Sequence, residues 1–387
     1  MRLWPRFIAS FALNFALTCS AGCLGSMPTG STSGGGAGNG TGTVEGGGNG
    51  NNSLHGNAPA GFVFSPYKDT SISLNWNTNV ATTNVNGSPM PLTQDLSANG
   101  GSTITLAFAT GECGSESWGG VQGAAMASAN VPMLGQAHTK YILSTGGAAG
   151  TFSCGSDAGM EAFLARWDSP ELTGVDFDIE AGQTPAIIAD LMKRVQAAHG
   201  THPTLRFSLT LATLANNDGA ATAHSLGSMA PDSFNAMGDN VLAAAKTAFG
   251  FDGTPGTWPS YVTVNLMTMD YGAAGAGVCV VDGGQCQMGQ SAIQAAYNLR
   301  DHFGVPFSGI ELTPMIGGND AQSEHFTVED VDTMVQFAVA QGLAGVHHWS
   351  YDRDTDCPAG YASPTCNSIG GVGVHGYLKR FLAAGLQ

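Results

Sequence analysis

Charge is scarce in this 387-residue chain, with Asp, Glu, Lys and Arg together making up 11% of it. The 13 Lys and Arg residues against 29 Asp and Glu leave a formal net charge of −16. Nucleic acids and anionic membrane surfaces are bound through clusters of basic side chains, and the chain has none. Neither is expected as a partner. Long hydrophobic runs are missing too: past the N-terminus no apolar stretch reaches the ~18 residues of a membrane span. There is no Cys-x-x-Cys pair, and the 10 His residues are not grouped at metal-ligand spacing. The adjacent His347 and His348 would point opposite ways on a strand. No metal site and no cofactor are expected.

What is present begins with an export signal. Arg2 and Arg6 precede a mostly apolar stretch over residues 7–17, so residues 1–23 read as a signal peptide. Ser20-Ala21-Gly22 before Cys23 resembles a bacterial lipoprotein cleavage box, with Ser20 where Leu is usual. Ordinary cleavage nearby is the alternative, and both stay open: a secreted bacterial protein, or a cell-surface lipoprotein anchored at Cys23. Residues 24–59, rich in Gly, Ser and Asn, cannot bury enough apolar surface to fold and read as a disordered linker. The remaining stretch, 60–387, reads as one domain and is expected to be a monomer.

That stretch alternates between two periodicities. Strand candidates fall at 62–65, 103–108, 141–144, 175–179, 205–211, 262–267, 309–314 and 345–349. Helical patterns lie between most of them, at 160–167, 185–199, 237–249, 291–303 and 328–341, with a last one at 377–384. Eight strands with helical crossovers predict an α/β fold, a (β/α)8 TIM barrel. The alternative is a doubly wound open sheet, but no Gly-x-Gly-x-x-Gly turn follows the first strand.

Cys113, Cys154, Cys279, Cys286, Cys357 and Cys366 remain once the signal is removed, an even count that reads as disulfides in an exported protein. Cys279–Cys286 and Cys357–Cys366 each close a short loop, after strands six and eight. Cys113–Cys154 then joins the loops after strands two and three.

The densest chemistry lies at Thr173-Gly174-Val175-Asp176-Phe177-Asp178-Ile179-Glu180. Strict alternation puts Asp176, Asp178 and Glu180 on one strand face and the apolar residues on the other. Neighbouring acids then sit about 6–7 Å apart along the strand. Three like charges that close cannot all ionise freely, so at least one pKa rises and protons are shared. An acid kept protonated near neutral pH is what glycoside cleavage needs. A calcium loop would want a Gly turn and oxygen-rich spacing, which the segment lacks.

This segment resembles the signature of family 18 glycoside hydrolases, the chitinase family. Asp176, Asp178 and Glu180 match its Asp-x-Asp-x-Glu and Gly174 its glycine, while Thr173 stands where most members carry Asp. Ser144-Thr145-Gly146-Gly147 is similar to its Ser-x-Gly-Gly segment. Met267-Thr268-Met269-Asp270 is similar to its Met-x-Tyr-Asp segment, with Met269 in place of Tyr. Thr313-Pro314-Met315-Ile316-Gly317 resembles the seventh-strand segment of bacterial members, and Trp349 the tryptophan that ends strand eight.

The resemblance implies a chitinase that cuts β-1,4 linkages between N-acetylglucosamine units by substrate-assisted, retaining catalysis. Its partners would be chitin or N-acetylglucosamine oligosaccharides. Glu180 would be the general acid, and Asp178 would orient the substrate's acetamido group, whose carbonyl oxygen is the nucleophile. Asp176 would sit beneath and share a proton. Met267, Asp270, Tyr271 and Trp349 would bind the sugar, Trp349 as a stacking floor; for the missing tyrosine, either Tyr271 or a residue from another loop substitutes, or that contact is lost. Thr173 would bond a neighbouring carboxylate. Trp76, Trp118 and Trp258 could line outer subsites, although each reads first as an ordinary half-buried aromatic, and Arg353 is a candidate for an ion-pair cluster with Asp352 and Asp354. An endo-β-N-acetylglucosaminidase would use the same acids. A chitin-binding lectin on the same barrel typically loses the acid that Glu180 retains.

Overall fold

Eight parallel strands close on themselves in the computed structural model, which describes Ala58 and residues 60–386. The signal peptide, Cys23 and the linker apart from Ala58 lie outside the described residues. The strands are β1 (Val63–Asp69), β2 (Thr103–Glu112), β3 (Lys140–Gly146) and β4 (Leu172–Asp178). They continue with β5 (Arg206–Ala212), β6 (Val262–Met267), β7 (Ile310–Thr313) and β8 (Gly345–Trp349). Each pairs in parallel with the next, and β8 returns to β1 through Val63–Gly345 to Tyr67–Trp349. A helix follows each strand: α1 (Leu92–Ala98), α2 (Gly123–Gln136), α3 (Asp157–Arg166), α4 (Pro185–Thr201), α5 (Ala236–Phe249), α6 (Met288–Asn298), α7 (Val328–Gln341) and α8 (Gly376–Ala383). This is the (β/α)8 barrel that the alternation predicts.

The strand alternation separates two environments. Val175, Phe177, Phe207, Leu209, Val264, Leu266, Leu312 and Val346 face outward and form one core with the helices. From α4 that core takes Ile188, Leu191, Met192 and Val195, at the spacing of one helical face. The local signals agree with it. Thr184 caps α4 by accepting from Ile187 N, Pro185 opens that helix, and Thr327 with Asp330 forms a capping box on α7.

The barrel interior, by contrast, is polar. At its lower end Glu311 pairs with Arg206 and with His347 Nε2 at 3.2 Å, and it accepts from Thr263 Oγ1 at 3.0 Å. Burial pushes His347 down to about 4, so the ring is neutral near pH 7. The site residues are stacked above this layer.

Two helices and several boundaries differ from the sequence expectation. α1 and α2 escaped it because α1 is short and α2 carries Gly123, Gly135 and an internal Pro132, which blur the apolar stripe. β1 runs on to Asp69 through Pro66 and Lys68, two residues that read as strand-breaking. Lys68 is tolerated because its ammonium is buried against Asp352 at 2.6 Å and donates to Ile72 O at 2.6 Å. The pattern at 291–303 is α6 followed by a π-helical turn, Leu299–Phe303.

All three disulfides form as paired above: Cys113–Cys154, Cys279–Cys286 and Cys357–Cys366. Among the described residues no helix is long and apolar enough to cross a membrane, and no group of three or more His, Cys, Asp or Glu is arranged to hold a metal ion.

Candidate active site

Register brings the acids to the upper end of the barrel. Asp176 lies directly beside Ser144 on β3 and Ser208 on β5, and Asp178 lies between Gly146 and Thr210. Glu180 sits two residues beyond the last strand residue, after Ile179 N has made one more bond, to Thr210 O at 3.1 Å. Asp178, Glu180, Met267, Asp270 and Trp349 line one cavity of about 250 Å³ at the mouth of the barrel. Tyr67, Phe108, Thr210, Met269, Met315 and Asp320 complete most of its wall. Strand ends at this face are where such barrels place function.

Asp176 is buried beneath that cavity, and four hydroxyls donate to it. Ser208 and Thr210 reach Oδ1 at 2.7 and 2.6 Å; Ser144 and Tyr67 reach Oδ2 at 2.6 and 2.9 Å. Asn265 Nδ2 in turn donates to Tyr67 Oη and Thr210 Oγ1, both at 2.9 Å, which orients the two hydroxyls toward the acid. Burial holds the Tyr67 phenol well above its ordinary range, so it remains a donor. Four donors match the acceptor-only chemistry of a carboxylate, so Asp176 stands as a fixed acceptor under the site.

Asp178 is different. Its Oδ1 is buried without a hydrogen-bond partner in the protein. Burial first, then the charges of Glu180 and Asp176, push its carboxyl well above the usual carboxylate range. Glu180 is pushed upward as well, by burial first and then by Asp270. The two acids that face the cavity therefore hold protons more tightly than free carboxylates do. One can give a proton, and the other offers a buried oxygen to a donor that enters.

Trp349 is half-buried, and its ring stacks on Phe108 at 5.5 Å between centroids with 22° between planes. Together they present an aromatic wall. Gly146 keeps β3 and β4 close here: it has φ +90°, and a Cβ on it would lie 2.1 Å from Asp178 O. Only glycine fits.

Several expected site residues are placed elsewhere. Tyr271 does not line the cavity: it is buried in the core, because the chain turns at Asp270 (φ +52°) and swings the ring inward. Met269 occupies the wall instead. Thr173 lies on the opposite strand face from the acids and donates to Tyr141 O at 3.1 Å, so it supports none of them. Trp118 is buried against Trp167, and Trp258 is buried with its indole N–H on Val262 O at 2.7 Å, just before β6 and so at the barrel's lower end. Of the three outer tryptophans, only Trp76 is exposed.

Arg353 forms no cluster with its neighbours. It donates to the carbonyls of Ile316, Gly318 and Ser363, Asp352 takes Lys68, and Asp354 accepts from Tyr377 N and Leu378 N at the start of α8. Tyr67, Thr210 and Asp320 carry no local motif that marks them. Their only signal is an inward position on a strand, or a place just past one, next to the acids.

No family model matches the chain, and no curated protein matches it. Solved structures do. A catalytic domain of a hyperthermophilic chitinase from Pyrococcus furiosus is similar over 86% of this chain and 99% of that one, at 23% identity and a TM-score of 0.58. Catalytic-site mutants of active domain 2 of a thermostable chitinase from Pyrococcus furiosus, complexed with chito-oligosaccharides, are similar over 86% of this chain and 98% of that one, at 22% identity and a TM-score of 0.58. The fold is that of chitinase catalytic domains.

Proposed function

We propose that the protein is a chitinase, hydrolysing β-1,4 bonds between N-acetylglucosamine units with the substrate's own acetamido group as nucleophile. The observation that carries this reading is the pair Asp178 and Glu180, two proton-retaining acids on one cavity, one of them with a buried oxygen free to accept. In this scheme Glu180 gives its proton to the glycosidic oxygen as the bond from that oxygen to C1 breaks. The acetamido carbonyl oxygen bonds to C1 from the other side and forms an oxazolinium ring. Asp178 and Glu180 titrate as a pair, and with the proton on Glu180 the ionised Asp178 accepts the acetamido N–H and balances the positive charge that develops there. Water then attacks C1 and gives a proton back to Glu180, which restores the acid and the original anomeric configuration.

Asp176 contributes by its fixed position. Held by four hydroxyls, its carboxyl is fixed directly below Asp178, which leaves Asp178 as the acid that faces the intermediate. Trp349 would take the apolar face of the sugar. The scheme calls for no cofactor. We propose further that the chain is exported, secreted or lipid-anchored at Cys23; three disulfides suit an oxidising compartment.

Rates on soluble N-acetylglucosamine oligosaccharides and on N-glycoprotein test the reading. Cleavage of the oligosaccharides with intact glycoprotein is the expected result. Release of glycoprotein glycans with inert oligosaccharides would move the assignment to an endo-β-N-acetylglucosaminidase. Binding of oligosaccharides without cleavage would make the protein a lectin.

A further inference from the structure

We infer that Glu324 is a positioning residue for the acid pair: it fixes the turn that carries Asp270 against Glu180. This rests on the reading of Glu180 as the proton donor. Glu324 belongs to the loop after β7, is fully buried, and does not line the cavity. Its carboxylate spans two adjacent backbone amides of the loop after β6. Oε2 accepts from Tyr271 N at 3.0 Å and Oε1 from Gly272 N at 2.6 Å.

The turn it clamps is one the chain does not favour. Asp270 has φ +52°, in the left-handed region that non-glycine residues seldom occupy. Two neighbouring amides that point the same way attract an anion, and a carboxylate with one oxygen on each amide suits them best. The clamp is reciprocal. Asp270 Oδ1 accepts from Asp320 N at 2.7 Å and Ala321 N at 3.2 Å, and Asp270 N donates to Asn319 Oδ1 at 3.2 Å. Glu324 is itself held, by Glu324 N on Ala321 O at 2.8 Å and Asn319 N on Glu324 O at 3.0 Å. Each loop thus places its carboxylate on the amides of the other.

The consequence reaches Glu180 through Asp270. After burial, the Asp270 charge is what raises the proton affinity of Glu180. A turn that drifts moves that charge. The charged groups around Asp270 are Glu324, Asp320, Glu180 and Arg353, and of these only Glu324 bonds the turn's own amides. Burial also lifts the Glu324 carboxyl to about 7, so its buried charge is held at a cost that two amide bonds partly offset.

Two variants separate position from charge. Glu324→Asp keeps the charge and withdraws it by one methylene; Glu324→Gln keeps the reach and removes the charge. Three readouts apply: carbon-13 NMR titration of the Glu180 carboxyl, assigned by its loss in Glu180→Gln; hydrogen exchange at the Tyr271 and Gly272 amides; and kcat and KM against pH on N-acetylglucosamine oligosaccharides. Glu324→Asp is expected to speed exchange at both amides by about tenfold or more. It should also lower the Glu180 pKa toward its value in Asp270→Asn and shift the alkaline limb of kcat downward, with KM changed less than roughly twofold. An unchanged Glu180 titration in Glu324→Asp, with or without faster exchange, would overturn the inference and leave Glu324 as a loop staple. A shift in Glu324→Gln alone would overturn it too, by showing a through-space charge effect. If the wild-type protein cleaves nothing, the proposed function fails, while the NMR titration still decides the role of Glu324.

Discussion

Replacing Gly146 by Ala puts one methyl group where the acid strand has no room for it. The added Cβ would lie 2.1 Å from Asp178 O, against a floor near 3.0 Å for real Cβ contacts. The end of β3 must therefore part from β4 by roughly 1 Å, since repulsion at such short range is steep. Placing an L side chain at φ +90° adds a conformational cost of roughly 1–2 kcal/mol. Displacing a catalytic group by about 1 Å can cost about 10²-fold in rate, so kcat should fall by about that factor while the fold survives. The assay is initial-rate hydrolysis of a chromogenic N-acetylglucosamine oligosaccharide, with circular dichroism melting on the same samples. Gly200→Ala is the control: no atom lies within 4 Å of its added Cβ, and it sits near the end of α4. That variant should keep full activity and melt no lower, since Ala is better than Gly in a helix by up to about 1 kcal/mol. A Gly146→Ala protein with native activity would refute the argument that this close approach places Asp178 and Glu180.

Glu180→Gln should abolish hydrolysis and keep oligosaccharide binding, because the amide retains the shape without a transferable proton, and calorimetry with the inactive variant checks both. Asp178→Asn should lose less, about 10²–10⁴-fold in kcat, as an orienting and charge-stabilising group. The melting temperature should fall as pH rises from about 4.5 to about 7: across that window Glu324, raised to about 7, keeps its proton in the native state when unfolded chains have lost theirs, and above it neither state holds the proton. Asp352 and Asp354, both raised to about 6, add to that fall below about pH 6, while His347 and His348, lowered to about 4 and 3, oppose it. Glu324→Gln should remove most of the fall between about pH 6 and 7. Denaturant melts of paired Cys→Ala variants should show Cys113–Cys154, which spans 41 residues, contributing about 4 kcal/mol, and Cys279–Cys286, which spans 7, about 2.5 kcal/mol. Equal losses would contradict the loop-entropy account.

The barrel was legible because its strands alternate so cleanly. Val175 and Phe177 face the helices while Asp176 and Asp178 face inward, and the same parity repeats in β5 and β6. Where alternation stopped, the reading stopped with it. Lys68 and Pro66 hid the second half of β1, and with it Tyr67, a donor to Asp176 and part of the cavity wall. Tyr271 was misread because a residue at φ +52° reverses which side the next side chain takes, and period alone does not show that. Thr173 was misread for the opposite reason: odd parity already places it away from the acids. Ser208 and Thr210 left no mark on the sequence, since a buried hydroxyl facing a carboxylate two strands wide looks like any other strand residue. Glu324 bonds residues 53 and 52 positions earlier, a contact that exists only once β6 and β7 are neighbours.

The central claim is that the substrate's acetamido carbonyl attacks C1 while Glu180 protonates the leaving oxygen. Proton NMR of the first products from an N-acetylglucosamine hexamer, recorded before mutarotation, tests it most directly. Two successive inversions at C1 give the β-anomer first, and the fully de-acetylated hexamer should be nearly inert despite its attraction to an acidic protein, since screened charge attraction is small beside an effective molarity of about 10⁵ M or more. An initial α-anomer, or comparable cleavage of the de-acetylated hexamer, would contradict the account.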